Sequence, residues 1–317
     1  MIRALEKGYD VVASVRSPEK AEFVRRGIQP VVSTENLNFV VIPDIAVEGC
    51  FDEHLSEVDY IVHIASPLWT VSDFSDMERA YVEPAVNSTL SILKAAEEAK
   101  TVKKVVLCSS LAALTTKEKC FGDDIDGVTY TAENRIPDSH YQPMRDHYFA
   151  GKTLARNATD QLVKEGLPFD VINIFPSSVL GRFEPAKTTE ELLANSNIRG
   201  LAMVIGKTLP PLPTSCVHVN DLAKMHIDVL GMKTEKYHNF GAGIHMSFEE
   251  QVEVAKKYFP FAVENGTFPC SGDIPDRQFL FDSKYTEKFF GWTFKSFEDM
   301  VIDVAKQYLE VFPRSTC

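Results

Sequence analysis

The chain has 317 residues, of which 44% are hydrophobic and 25% are charged, and its mean hydropathy is −0.11. This composition is typical of a globular protein with a substantial core, and it excludes a disordered, collagen-like or disulfide-dense chain. The formal net charge of −12 would repel nucleic acid or an anionic membrane surface, so we expect neither as a partner.

No apolar run approaches the ~18 residues that span a bilayer. The charged opening MIRALEK lacks the apolar segment of a signal peptide. The six cysteines are scattered and form no C-x-x-C pair. These features predict a cytoplasmic, reduced and metal-free protein without a membrane span.

The first half of the chain alternates short β-branched runs with segments of helical spacing. Strands are predicted at residues 10–15, 39–42, 60–64, 104–108 and 169–174, and helices at residues 85–99 and 148–165. Because these strands are apolar on both faces and helices separate them, they predict a parallel sheet covered on both sides. The fold class is therefore α/β, doubly wound and of Rossmann type.

The second half changes character. Residues 183–214 are rich in Pro, Thr and Asn. A helix is expected to begin at Asp221 as its cap, after a short strand at residues 216–219. A last amphipathic helix is expected from the cap Ser296 to about Val311.

A strand and a glycine-rich turn are missing from the expected pattern. The chain opens as the back half of a helix that ends at Gly8, whereas a dinucleotide-binding fold places a strand and a Gly-rich turn before that helix. That strand normally lies in the middle of the sheet, so its neighbours would lose ladder partners on one side. We expect either that the given chain is incomplete or that the sheet closes around a gap.

A Tyr-x-x-x-Lys pattern carries the predicted chemistry. The spacing of four places Tyr148 and Lys152 on one helix face, and an ammonium beside a phenol favours the ionised form, as a general acid near neutral pH requires. Upstream, the strand at residues 104–108 delivers Ser109 and Ser110 at its carboxyl end, where open α/β sheets bind ligands. Taken without the Tyr-Lys pair, these serines are more typical of a polar strand end that caps the next segment.

Cations stand where the second strand of a dinucleotide fold usually ends in an acidic residue. Arg16 suits a ribose 2′-phosphate through bidentate charge-assisted bonds, and Lys20 follows it. A solvated loop is the alternative interpretation. Asp44 follows the next strand and could accept from an adenine amino group, cap a helix, or do both.

These blocks together resemble the extended short-chain dehydrogenase/reductases, in the branch of dihydroflavonol-reductase-like enzymes and fungal NADPH-dependent aldehyde/ketone reductases. The resemblance covers nearly the whole chain. The blocks that carry it are residues 8–11, 15–20, 43–45, 63–67, 84–87, 105–110, 148–152, 176–181 and 217–223.

The resemblance implies NADPH-dependent reduction of a ketone or aldehyde to an alcohol. Tyr148 would protonate the developing alkoxide, Lys152 would bond the nicotinamide ribose, and Ser110 would hold the carbonyl oxygen. Gly151 departs from the serine common before the lysine, at a position that does not face the chemistry. The residues implied in binding NADP(H) are Arg16, Lys20, Asp44, Ile45, Ala65, Ser66, Tyr148, Lys152, Pro176, Ser177, Ser178 and Val179.

The resemblance also implies two interleaved domains. A dinucleotide-binding domain is expected at residues 1–174 plus about 213–235, and a smaller substrate lobe at residues 175–212 plus 236–317. His63, near a strand end, is interpreted as a structural histidine with satisfied hydrogen bonds.

Three functions stay open at this point. The first is reduction of a carbonyl on a small organic substrate, polyketide-like or flavonoid-like by family analogy and belonging to secondary metabolism, by a monomer or homodimer. The second is a sugar-nucleotide epimerase or dehydratase, which would retain NAD and would favour an acidic residue in place of Arg16. The third is a non-catalytic dinucleotide-sensing or scaffold protein.

Overall fold

The computed structural model describes residues 1–66, 78–122, 127–140 and 143–312. The chain divides into two compact units. The first comprises Met1–Lys117, Thr131–Phe175 and Met225–Gly241, and the second comprises Glu118–Tyr130, Pro176–Lys224 and Ala242–Cys317. These units differ from the predicted domains in assigning residues 118–130 and 213–224 to the second unit, and residues 175 and 236–241 to the first. The domain boundaries stay a prediction.

Short strands and helices alternate along the described chain. The strands are β1 (Val11–Val15), β2 (Leu37–Val41), β3 (Tyr60–His63), β4 (Lys104–Cys108), β5 (Thr129–Tyr130), β6 (Asp170–Pro176), β7 (Ser178–Leu180), β8 (Leu212–Pro213), β9 (Ser215–His218), β10 (Tyr237–Ala242), β11 (Ile244–His245), β12 (Asp276–Arg277) and β13 (Leu280–Phe281). The α-helices are α1 (Ile2–Glu6), α2 (Pro18–Ile28), α3 (Glu83–Ala99), α4 (Lys117–Phe121), α5 (Pro143–Glu165), α6 (Thr189–Leu193), α7 (Asn197–Leu201), α8 (Val219–Asp228), α9 (Glu250–Tyr258), α10 (Pro260–Glu264), α11 (Lys284–Phe290) and α12 (Phe297–Val311).

The central sheet of the first unit has the order β10-β6-β4-β3. Strand β4 runs parallel to both neighbours, with Val105 opposite Ile61 on β3 and Val171 on β6. Helices α3 and α5 pack against each other, and parallel strands connected through such helices confirm the predicted doubly wound α/β class.

Strands β1 and β2 form a parallel ladder of their own. Among the described strands, none pairs with the second edge of β1 or of β3. Apolar side chains are exposed beside both edges, with Val12 52% and Ile64 59% accessible. Each of these two strands therefore has one edge whose backbone groups find no ladder partner among the described strands.

A buried apolar cluster holds the first unit together. It joins Val105 and Val171 of the sheet to Ile92 and Leu93 of α3. The charged side chain of Lys104 is also buried, and its Nζ donates to the carbonyl oxygens of Val229 (3.0 Å) and Met232 (2.7 Å). These bonds tie the buried ammonium to the end of the 3-10 turn Val229–Gly231.

The second unit is built from short strands and helices around its own apolar clusters. Strand β9 pairs in parallel with β7 and antiparallel with β11. Helix α12 confirms the predicted last helix, because Ser296 and Asp299 form a capping box at its start and it ends at Val311.

The prediction that Asp221 caps a helix is wrong. Helix α8 begins at Val219, so Asp221 lies inside its first turn. The Asp221 carboxylate instead accepts from the backbone N–H of Lys295, at 2.7 Å.

Across the described part of the chain, no helix is both long and apolar enough to cross a bilayer.

Candidate active site

Ser110 lies at the carboxyl end of β4, where the chain turns away from the sheet. Its backbone is extended (φ −160°, ψ 156°) and it caps the 3-10 turn Leu111–Ala113. Its Oγ accepts from the backbone N–H of Ala112 at 3.2 Å, and the residue is only 8% exposed. The alternative interpretation of a capping serine is therefore true as well, because one hydroxyl can cap the turn and still face the site.

Helix α5 brings Tyr148 to this serine. The Tyr148 hydroxyl donates to Ser110 Oγ at 3.2 Å, across 38 residues of sequence. The ring of Tyr148 lies 6.4 Å from that of Tyr81 and 6.1 Å from that of Phe149. The structure thus places together the two hydroxyls that the sequence predicts as general acid and carbonyl-binding group.

Lys152 follows Tyr148 by about one turn of α5 and is partly buried. Within the described residues it makes no hydrogen bond or ion pair with another side chain. The positive charge of Lys152 affects the pKa values of two neighbouring groups. Burial together with this charge lowers the pKa of His63 to about 4, and the same charge partly offsets the burial that raises the pKa of the Cys108 thiol.

A small polar cavity adjoins Lys152 between the sheet and helices α3 and α5. Its volume is about 30 Å³, and His63, Ser66, Thr89, Ser109 and Asn173 are among the residues that line it. The sequence predicts that His63 is a structural histidine whose hydrogen bonds are all formed, and the structure differs from this prediction. Its Nε2 is buried and has no hydrogen-bond partner among the described residues.

Gly151 faces helix α3 and not the hydroxyl pair. A Cβ at this position would lie 3.2 Å from Ala85 Cβ and 3.5 Å from the Tyr81 ring. The glycine therefore allows α3 and α5 to approach closely, which explains its departure from the serine common in the family.

Arg16 and Lys20 are exposed around the carboxyl end of β1. Between them, Ser17 caps helix α2 by accepting from the backbone N–H of Lys20 at 3.4 Å. The Nζ of Lys20 lies 4.6 Å from the centre of the Phe23 ring. Both cations remain accessible to an anionic ligand, and their role in binding the cofactor stays a prediction.

The other predicted cofactor residues of the first unit follow β2 and β3. Asp44 is exposed and its Oδ1 accepts from the backbone N–H of Ala46 at 2.9 Å. This bond closes a turn and does not cap a helix. Ile45 packs against the apolar cluster of the unit, Ala65 is exposed and Ser66 is partly buried.

Four predicted cofactor residues belong to the second unit, and they run from the last residue of β6 into β7. Ser177 Oγ donates to the Ala242 carbonyl oxygen at 3.2 Å. Ser178 Oγ accepts from Arg199 Nη1 at 2.8 Å. Pro176 is the last residue of β6, and Val179 lies within β7. Both hydroxyls hold the chain within its own unit, so a contact with the cofactor stays a prediction for all four residues.

Sequence reasoning missed Arg156, which lies one turn beyond Lys152 and is 2% exposed. Its guanidinium donates to the carbonyl oxygens of Ala113 (3.2 Å), Ala132 (2.6 Å) and Asn134 (2.5 Å). It also lies 4.3 Å from the Phe175 ring. Arg156 therefore ties the turn that follows Ser110 to helix α5. No local signal in the sequence marks Arg156 for this role.

The residues present fit the nicotinamide end of a dinucleotide cofactor. An ammonium without a described partner and the hydroxyl pair lie around the carboxyl end of a parallel sheet, where such ligands bind. The described residues include no glycine-rich turn at a helix N-terminus that would hold the pyrophosphate. Arg16 and Lys20 supply cations suited to the adenosine end.

The described residues form an α/β fold with a parallel central sheet, and the Ser110 and Tyr148 hydroxyls meet at the carboxyl end of β4. Residues 1–243 match the NAD dependent epimerase/dehydratase family. The chain therefore belongs to this family of extended short-chain dehydrogenase/reductases, as its motifs predict.

Two characterised relatives and one solved structure are similar over nearly the whole chain. Ketoreductase CTB6 of Cercospora nicotianae is 30% identical, over 98% of this chain and 91% of that protein. Anthocyanidin reductase of Vitis vinifera is 26% identical, over 96% of this chain and 89% of that protein. Gre2 of Candida albicans, solved in complex with NADPH, is 23% identical with a TM-score of 0.77, over 98% of this chain and 94% of that chain. Its likeness shows the fold, and the family together with the reductase-named relatives supports an NAD(P)-dependent oxidoreductase.

Proposed function

We propose that this protein reduces a ketone or aldehyde on a small organic molecule to an alcohol, with NADPH as the hydride donor. The observation that carries the proposal is the hydrogen bond of 3.2 Å between Tyr148 OH and Ser110 Oγ. A carbonyl oxygen held by both hydroxyls would be polarised at the moment its carbon accepts a hydride.

Each residue of the set has a distinct task. Ser110 can donate its hydrogen to the carbonyl oxygen, because its own oxygen accepts from Ala112 N–H. When a substrate is bound, the Tyr148 hydroxyl turns from Ser110 Oγ to the carbonyl oxygen and transfers its proton to it as the alkoxide develops. Lys152 holds the nicotinamide ribose and stabilises negative charge on the phenol oxygen. NADPH, when bound, supplies the hydride, and the phenolate is reprotonated from water after the alcohol forms.

Preference for NADPH over NADH rests on Arg16 and Lys20. Both are exposed at the end of β1, where a carboxylate would favour a free ribose hydroxyl and a guanidinium favours a phosphate. The acidic protein as a whole, with net charge −12, suits a small neutral substrate. We include in the proposal a cytoplasmic location and a role in secondary metabolism, which the ketoreductase and anthocyanidin reductase names support by analogy.

A fluorescence titration with NADPH and NADH tests this proposal on the wild type, R16A and R26A. Arg26 is a matched control because it is an exposed arginine of α2 that pairs with Glu22. We expect NADPH to bind more tightly than NADH. R16A should weaken NADPH binding by about 10- to 100-fold, the range for losing a charge-assisted contact, and should leave NADH binding unchanged.

R26A should behave as the wild type with both cofactors. Equal affinity of the wild type for NADH and NADPH would favour the epimerase or dehydratase alternative. A folded wild type that binds neither cofactor would favour the non-catalytic alternative and would refute the proposed reductase.

A further inference from the structure

His63 ends strand β3 and carries a buried nitrogen that the proposed mechanism does not use. Its Nε2 has no hydrogen-bond partner among the described residues. An unpaired buried polar atom costs about 1–3 kcal/mol, so such atoms are normally bonded to protein or to ordered water. A water molecule in the adjoining cavity would satisfy this atom.

The cavity next to His63 has the size and polarity for that partner. Its volume of about 30 Å³ exceeds the ~10–15 Å³ that one water molecule needs. Lys152 and Thr89 also line it. The Thr89 hydroxyl donates to the Ala85 carbonyl oxygen at 3.2 Å, which leaves its oxygen free to accept. A water in this cavity would find three polar groups among the lining residues, the number typical of buried waters.

We propose that His63 is a positioning residue for Lys152, and that it acts through a water molecule held between His63 Nε2 and the Lys152 ammonium. The water accepts from the ammonium and bonds Nε2, so the lysine head is held at the nicotinamide ribose. Lys152 needs such a tether because no described side chain accepts from it.

The charges around the cavity are consistent with this arrangement. The titratable and charged groups facing it are His63 from β3, Cys108 from β4, and Lys152 and Arg156 from α5, while α3 contributes Ala85 and Thr89. Burial and the lysine charge keep the pKa of His63 at about 4, so the imidazole is neutral at neutral pH. A neutral imidazole can bond a water beside an ammonium without repelling the ammonium.

High-resolution crystal structures of the wild type and of H63L test the tether directly. We expect a water within hydrogen-bond distance of both His63 Nε2 and Lys152 Nζ in the wild type. In H63L we expect that water to be lost and Lys152 to change its rotamer or become less ordered. A wild-type structure without a water in this place, or a direct His63–Lys152 hydrogen bond, would overturn the proposal.

A double-mutant cycle tests the consequence for NADPH binding, and this arm rests on the proposed function. H63L should raise the Kd for NADPH about tenfold in the wild-type background, the loss expected for one hydrogen bond to a charged group. It should change Kd by less than about twofold in the K152M background, because its effect passes through Lys152. Multiplicative effects of the two substitutions would overturn the proposal.

Two further variants separate positioning from general loss of structure. In H63Q the side-chain amide can still bond the water, so we expect its Kd and kcat to stay within about threefold of the wild type. H54L, on the 3-10 turn Asp52–His54 outside the cavity, should match the wild type. If H63L does not fold, an H63Q protein that loses the water and binds NADPH as well as the wild type refutes the tether. If the wild type binds no NADPH, the proposed function fails and the crystallographic water still decides this inference.

Discussion

Replacing Arg156 by methionine tests how the site is held in place. The guanidinium is 2% exposed and bonds the carbonyl oxygens of Ala113, Ala132 and Asn134. Methionine fills similar space with an apolar chain, so R156M removes the donors without opening a large cavity. Three carbonyl groups lose a charged donor, and Phe175 loses its cation–π contact.

The expected cost follows from these contacts. A hydrogen bond from a charged donor contributes about 1.5 kcal/mol or more, and a buried cation over a ring about 1 kcal/mol. Relief from burying a charge offsets part of this. We expect R156M to lower the free energy of unfolding by about 4 kcal/mol, a large share of the ~5–15 kcal/mol typical of native proteins.

Equilibrium urea unfolding followed by circular dichroism measures this loss. R135M is the matched control, because Arg135 pairs with Asp160 at 2.7 Å on a side chain that is 35% exposed, and such pairs contribute at most about 1 kcal/mol. At a temperature where R156M is still folded, kcat should also fall, since Arg156 fixes the turn after Ser110. A loss below about 1.5 kcal/mol for R156M, or equal losses for both variants, would refute the reasoning.

Two further predictions concern the hydroxyl pair and a buried histidine of the second unit. Y148F removes the proton donor and its bond to Ser110, so kcat should fall about 1,000-fold while the Kd for NADPH changes less than about threefold; a kcat above a tenth of the wild-type value contradicts this role. The hydrogen bond between Asp303 and His218 Nε2, at 2.8 Å, holds the pKa of the Asp303 carboxyl below its usual range. The ionised carboxylate therefore stabilises the fold above about pH 4, and this contribution is lost as the pH falls further. D303N should therefore show a shallower loss of stability between pH 5 and pH 3 in urea unfolding, and parallel curves for D303N and the wild type would contradict the assignment.

Local patterns were enough to predict the sheet and the central hydroxyl pair. Strand β4 has the predicted bounds 104–108, because a run of buried β-branched residues between helices has few alternatives to a central parallel strand. Ser110 and Tyr148 meet because the first ends that strand and the second lies on the next long helix, whose spacing also fixes Lys152. The end of an apolar run predicts the end of a strand, and the spacing of residues predicts which of them share a helix face.

Contacts between distant segments could not be predicted in this way. Arg156 reaches carbonyl groups 22 to 43 residues away, and a lone arginine on a helix carries no sign of such partners. Asp221 accepts from Lys295, 74 residues further along, although its local sequence is typical of a helix cap. His63 Nε2 has no hydrogen-bond partner among the described residues. The groups around it come from α3 and α5, and the sequence of its own strand does not indicate them.

The direction of the hydrogen bonds at Ser110 also bears on inhibitor design. Without a ligand, its oxygen accepts from Ala112 N–H and Tyr148 OH, which uses both lone pairs of a hydroxyl. The Ser110 hydrogen is therefore what this group first offers to an incoming ligand. Fragments that present an acceptor oxygen, such as carboxylates, sulfones or amide carbonyls, complement that hydrogen. An N–H of an amine or ammonium group would face the Ser110 hydroxyl hydrogen, and two donors cannot form a hydrogen bond with each other. A fragment library for this protein is best weighted toward acceptors.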